Sequence, residues 1–248
     1  MRASHIAEHR DRAGILLDFD GTLSEIASSP RMAHPAPGVL DALEALRDAY
    51  AVVAVVSGRR AAEVSALLEG RVRCFGLYGL EDGDAPSESD AVSSVERILP
   101  EVRAVAAQVE GALVEPKGLQ VAVHFRAAAD PEEAGRLLRR ALEPVARREG
   151  MTILDGKRVV ELAPADGPTK GDVVRRVVGE HGLRAVLYAG DDLADLEAFS
   201  AVEELGSRGV AGLTVAVRSA ETPQELLHRA GLVVEGPDGL VALLRELA

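Results

Sequence analysis

Asp18 and Asp20 close an apolar run and lead into Gly21-Thr22-Leu23. Residues two apart on a strand point the same way, so both carboxylates face one site. Gly21 lets the chain turn sharply past that site. Adjacent carboxylates repel, and a divalent cation between them removes the repulsion. Other groups of suitable type lie further along. Ser57 opens a Ser-Gly-Arg turn, Lys170 stands in Pro168-Thr169-Lys170-Gly171, and Asp191, Asp192 and Asp195 follow an apolar run at 185–189. Taken singly, each has an ordinary explanation: a serine caps helices, and acidic residues favour helix N-termini for their own sake.

These side chains need a scaffold. Residues 13–19 read as a short continuous apolar strand, 38–50 carry Val39, Leu43 and Leu46 at helical spacing, 52–56 are β-branched, and 60–68 fit a helix stopped by Gly70. Such alternation predicts a parallel sheet covered on both faces, with ligands bound beyond the carboxyl ends of the strands, where the acidic pair falls. Residues 81–90, rich in Asp, Gly, Ser and Pro, read as a loop, boundary and hinge. A helix at 92–109, paired strands at 112–116 and 119–126, a helix at 131–148 and a hairpin of 152–155 with 158–162 follow. Leu119, Val121, Val123 and Phe125 alternate with Gln120, Ala122, His124 and Arg126, which predicts one packed and one exposed sheet face. This αββαββ block reads as an inserted α+β domain at 84–165 within a Rossmann-like core formed by 1–83 and 166–248. After Pro164 the alternation resumes: helix 169–181, strand 185–189, helix 193–199, strands 213–217 and 232–234, and a last helix at 239–247.

Composition excludes several classes. A chain of 248 residues, 47% of them hydrophobic, supports a conventional core, although aromatics are only 3%. The net charge of −12 would repel a nucleic-acid backbone, so no such partner is expected. A lone cysteine, Cys74, cannot form an internal disulfide, and no Cys/His spacing suggests zinc. The charged first twelve residues lack an apolar targeting core, and the longest apolar stretch, 49–56, is far short of a bilayer span. A cytoplasmic monomer without a membrane partner is the expectation. Only three of the 28 basic residues are lysines, namely Lys117, Lys157 and Lys170. In an arginine-rich chain a lysine can mark a site for a compact ammonium.

The string Asp18-Phe19-Asp20-Gly21-Thr22, with Ser57, Lys170 and Gly190-Asp191-Asp192-x-x-Asp195 following in order, resembles the haloacid-dehalogenase-like (HAD) phosphohydrolases. The resemblance implies that Asp18 is a nucleophile attacking phosphorus and that Asp20 protonates the leaving oxygen, then deprotonates water. It implies that Ser57 hydrogen-bonds the phosphoryl group and that Lys170 neutralises charge on nucleophile and phosphate. Mg²⁺ would be held by the Asp18 and Asp191 carboxylates and the Asp20 carbonyl, with Asp192 and Asp195 orienting waters and Lys170.

The inserted block resembles the cap domain of trehalose-6-phosphate phosphatases. Glu115-Pro116-Lys117-Gly118-Leu119-Gln120-Val121-Ala122-Val123-His124-Phe125-Arg126 looks like that family's ExKGxxVAVHxR segment, and 156–162 like its GKxVxEL segment. By this resemblance Glu115, Lys117, Arg126, Lys157 and Glu161, with Arg59 from the core, bind a sugar phosphate, and trehalose-6-phosphate is the expected substrate. His124 falls on the polar face by alternation alone and is left outside the site. Ala194 and Leu196 depart from the family's usual Thr and Glu. Rival readings are a capped phosphatase for sucrose-6-phosphate or mannosyl-3-phosphoglycerate, and an inactive carbohydrate-binding or regulatory protein.

Overall fold

The computed structural model describes residues 3–27, 32–83 and 90–248. Two compact units emerge, Met1–Ala85 with Pro168–Ala248, and Pro86–Gly167. The loop and hinge expected at 81–90 falls mostly on 84–89, outside the described residues.

The first unit begins with α1 (Ala3–Ala7), β1 (Ala13–Leu17), α2 (Val39–Ala49), β2 (Val52–Val56), α3 (Ala61–Leu67), β3 (Arg73–Gly76) and a short β4 (Glu81–Asp82). The second unit holds α4 (Asp90–Ala106), β5 (Leu113–Pro116), β6 (Val121–His124), α5 (Pro131–Arg148), β7 (Met151–Gly156) and β8 (Val159–Pro164). The chain then completes the first unit with α6 (Lys170–His181), β9 (Ala185–Gly190), α7 (Asp195–Ser207), β10 (Ala211–Arg218), α8 (Gln224–Arg229), β11 (Leu232–Glu235) and α9 (Gly236–Leu247).

The core sheet has the order β11-β10-β9-β1-β2-β3-β4 and is parallel except at β4. Strands β1, β2 and β9 are buried along their whole length, as their unbroken apolar runs require. Ile15 and Leu17 pack on one side with Leu43, Leu46, Val64 and Leu244, while Leu16 packs on the other with Val174, Val177, Phe199 and Val202. Helices therefore cover both faces. Strands β9, β1 and β2 are neighbours and run the same way, so the residues that follow their carboxyl ends (Asp191, Asp18 and Ser57) leave the sheet at one edge.

The second unit is a four-stranded antiparallel sheet, β5-β6-β8-β7, with one face packed on α4 and α5 through Val121, Val123, Val160 and Leu162 against Ile98, Val102, Leu138 and Leu142. Its opposite face departs from the exposed surface predicted above, since Gln120 and Ala122 are only 1% and 0% exposed. Ala122 pairs with Glu115 on one side and Glu161 on the other, so a small side chain lies between two long ones.

Two more expectations need correction. The helix predicted at 193–199 instead starts at Asp195 and runs to Ser207. The parallel strand β3 was not foreseen, because its sequence Arg-Cys-Phe-Gly has no apolar run.

Candidate active site

Asp18 follows β1 directly, and its amide donates to the Ala189 carbonyl of β9 at 2.9 Å, tying the two strand ends together. Gly21 has φ +79°, and a Cβ there would lie 1.9 Å from Asp191 Oδ2. Only glycine lets this turn fold back against Asp191. Thr22 adds a hydroxyl that donates to Asp191 Oδ1 at 3.3 Å. Lys170 is the first residue of α6, where a capping box fixes the helix start. The Thr169 amide donates to Asp172 Oδ2 at 2.9 Å, and the Asp172 amide donates back to Thr169 Oγ1 at 3.3 Å.

Lys170 Nζ lies 2.9 Å from Asp18 Oδ1 and donates to Asp195 Oδ1 at 2.7 Å. Carboxylate oxygens of Asp18, Asp191 and Asp195 lie within 4.8 Å of one another. All four residues are at most 5% exposed. Burial drives the Asp18 carboxyl well above its usual range; Lys170 opposes the rise, and Asp195 and Asp191 add to it. For Lys170, burial works against the charge, but Asp18 and Asp195 outweigh it and hold the ammonium protonated. Three carboxylates thus face one ammonium, and the cluster is short of positive charge. Its donors are all oxygens, which suits Mg²⁺.

Asp195 is near enough to be counted among the ligands of such an ion, but its lone pairs are already taken. Oδ1 accepts from Lys170 and from the Tyr188 hydroxyl, both at 2.7 Å, and Oδ2 accepts from the amides of Asp191 and Asp192 at 2.8 and 2.9 Å. A carboxylate has about four acceptor positions. An ion held at this cluster would be left to Asp18 and Asp191. Asp192 Oδ1 accepts from the Leu193 amide at 2.7 Å.

Asp20 points its side chain toward Arg59. Arg59 Nε donates to Asp20 Oδ2 at 2.6 Å and Nη2 to Oδ1 at 2.8 Å, while Nη1 reaches Glu63 Oε1 at 2.5 Å. Burial disfavours the guanidinium charge, but Asp20 and Glu63 more than offset this and raise its pKa. Ser57 is 1% exposed, and its hydroxyl accepts from the Arg59 amide at 3.1 Å. The helix behind this turn starts only at Ala61, whose amide is capped by the buried Glu81 carboxylate at 2.7 Å.

In the second unit Lys117 Nζ donates to Glu161 Oε1 at 2.5 Å, with side-chain exposures of 9% and 3%. Arg126 Nη2 donates to the Lys157 carbonyl at 3.2 Å. His124 Nε2 donates to Glu115 Oε2 at 2.7 Å, so this residue, left out of the site by the sequence reading, touches one that was included. Tyr188 was missed altogether. The only signal for it was a tyrosine inside an otherwise aliphatic strand, since a buried hydroxyl needs a partner.

The parallel core carries the acidic cluster at its strand ends, and the segment that forms the antiparallel α+β unit is inserted in the chain between the two halves of that core. The chain belongs to the trehalose-phosphatase family, whose model matches residues 16–227. It is 35% identical over 215 residues to a trehalose-phosphate phosphatase of Mycobacterium marinum, covering 81% of this chain and 53% of that protein. It is 31% identical over 201 residues to the trehalose-6-phosphate phosphatase of Escherichia coli K12, covering 78% and 74%. In fold it is similar to the C-terminal domain of the C. albicans trehalose-6-phosphate phosphatase, with a TM-score of 0.84, 21% identity, and coverage of 100% and 97%. The chain spans between 16% and 53% of the length of the first curated relatives it matches. Among the described residues, no helix is long and apolar enough to cross a membrane.

Proposed function

We propose that the chain hydrolyses trehalose-6-phosphate to trehalose and phosphate through an aspartyl-phosphate on Asp18. The observation that carries this reading is the Lys170 ammonium set between Asp18 and Asp195, with Asp191 beside them. Asp18 attacks phosphorus while Lys170 offsets charge on the nucleophile and the transferred group, and Ser57 donates to a phosphoryl oxygen. Asp20 protonates the leaving sugar oxygen and then takes a proton from the water that cleaves the acyl phosphate. Arg59 must first release Asp20, and phosphoryl oxygens offer its guanidinium a replacement acceptor. Asp18, Asp191 and the Asp20 carbonyl would hold Mg²⁺, which when bound supplies the positive charge the cluster lacks.

The sugar is assigned to the face of the second unit that carries Glu115, Lys117 and Glu161, with Arg126 and Lys157. Glu115 and Glu161 flank Ala122 in register, so they share that face. Charged donors and acceptors of this kind suit sugar hydroxyls. The net charge of −12 and the single buried cysteine fit a cytoplasmic monomer acting on a soluble substrate.

The test is phosphate release from a panel of sugar phosphates with Mg²⁺, for the wild type and Asp18→Asn. Trehalose-6-phosphate should be turned over best, and Asp18→Asn should lower kcat by at least about 10⁴-fold while the protein stays folded. Preference for sucrose-6-phosphate or mannosyl-3-phosphoglycerate would replace the substrate assignment. Undiminished turnover by Asp18→Asn would remove the nucleophile.

A further inference from the structure

We infer that Tyr188 is a positioning residue for the phosphoryl-transfer site, acting through Asp195 on Lys170. The inference rests on the phosphatase reading above but not on the identity of the sugar.

Tyr188 is fully buried in β9, and its hydroxyl donates to Asp195 Oδ1, the same oxygen that accepts from Lys170. The strand makes this reach possible. Tyr188 and Gly190 are two apart and share a face. At Gly190 a Cβ would lie 2.2 Å from Asp195 Cγ, so the missing side chain is the space the carboxyl group occupies. The ring is held as well. Phe199 meets it edge-on, with centroids 6.3 Å apart and planes at 80°. Asp195 and Phe199 are four apart on α7, so a single helix face fixes both the ring and the hydroxyl of Tyr188.

This clamp sets the rotation of the Asp195 carboxylate. With the hydroxyl and ammonium on Oδ1 and two loop amides on Oδ2, neither oxygen is left to bind a cation or to swing toward Asp18. Without the hydroxyl, Oδ1 regains a lone pair and its hold on Lys170 loses direction. Lys170 would then divide its time between two carboxylates instead of standing fixed against Asp18. A displacement of that kind slows the chemical step, whereas substrate affinity is set elsewhere.

Tyr188→Phe keeps the ring and removes one oxygen. Its kcat should fall about tenfold, equivalent to about 1.4 kcal/mol in the barrier. The fall should be equal for trehalose-6-phosphate and for p-nitrophenyl phosphate, with KM for both within about twofold of wild type. Assays are run well below the variant's thermal midpoint, so a purely structural role would lower the midpoint and leave kcat alone. That result, or a change confined to KM, overturns the inference. If Tyr188→Phe does not fold, Phe199→Leu loosens the ring and keeps the hydroxyl. Its kcat should fall severalfold, and a wild-type kcat there would also overturn the inference. A wild-type protein that hydrolyses p-nitrophenyl phosphate but not trehalose-6-phosphate loses only its substrate assignment. One that hydrolyses neither with Mg²⁺ loses both readings.

Discussion

Each unit buries a lysine against a carboxylate, and the two pairs are not equivalent. In the second unit Lys117 donates to Glu161. In the first, Lys170 meets Asp18 and Asp195, with Asp191 close by. The pair in the second unit can act through the direction of its hydrogen bond. The cluster in the first unit gathers three carboxylates around one ammonium, and that shortage of positive charge is what a metal ion and a phosphoryl-transfer reaction can use. A buried ion pair therefore says little about function until the surrounding charges are counted.

The sharpest way to break this contrast is to remove each lysine. Lys117→Met leaves Glu161 buried without its cation and should cost about 3–5 kcal/mol of folding stability. Adding Glu161→Leu should recover most of that, because an apolar pair of similar volume replaces a buried ion pair at little cost. Lys170→Met should cost at least as much, and Asp195→Leu added to it should fail to restore stability. Asp18 and Asp191 still face each other there, and three donors (the Tyr188 hydroxyl and the amides of Asp191 and Asp192) lose their acceptor. Chemical denaturation of the five proteins (wild type, two single and two double variants) checks this. Equal rescue in both units would mean that the two lysines are equivalent after all.

A smaller effect should come from the cation itself. Mg²⁺ at about 100 times its dissociation constant stabilises a protein that binds it only when folded by about 2.7 kcal/mol. The thermal midpoint should rise with Mg²⁺ in the wild type, return on chelation, and stay flat in Asp191→Asn. In Glu161→Gln the rise should persist, since Glu161 is not among the carboxylates assigned to the ion. A Mg²⁺ shift in Asp191→Asn equal to that of wild type would place the ion elsewhere.

How much of this was legible in the sequence follows the same division. The strand ends were readable, since short unbroken apolar runs such as Ala13–Leu17, alternating with helical patterns, read as buried strands, and Asp18, Ser57 and Asp191 follow them. Side-chain partners across long sequence separations were not. Glu81 capping Ala61 and Arg59 clamping Asp20 depend on turns whose geometry no local pattern encodes. Tyr188 lies in a run that reads as core, and its partner Asp195 comes after a loop. Strand β3 owes its place to tertiary packing, with the guanidinium groups of Arg73 and Arg176 at 4.6 and 4.9 Å from the Phe75 ring. In the second unit, alternation gave the packed face correctly, with Val121 and Val123 against the helices. It could not say that Ala122 on the other face would be screened by Glu115 and Glu161, because exposure of a small residue is decided by its cross-strand neighbours.

The smallest expected effect is also the most selective. Glu161→Gln preserves shape and leaves Lys117 an oxygen to bond, but removes the charge that orients the ammonium. If this face grips the sugar, KM for trehalose-6-phosphate should rise about tenfold, a loss of about 1.4 kcal/mol in binding. Turnover of p-nitrophenyl phosphate, which has no disaccharide to hold, should stay within about twofold of wild type. Tyr188→Phe should behave in the opposite way, losing rate on both esters and affinity for neither. Crossed outcomes would separate chemistry in the first unit from selection in the second, whereas equal losses on both esters in Glu161→Gln would reduce its ion pair to a structural role.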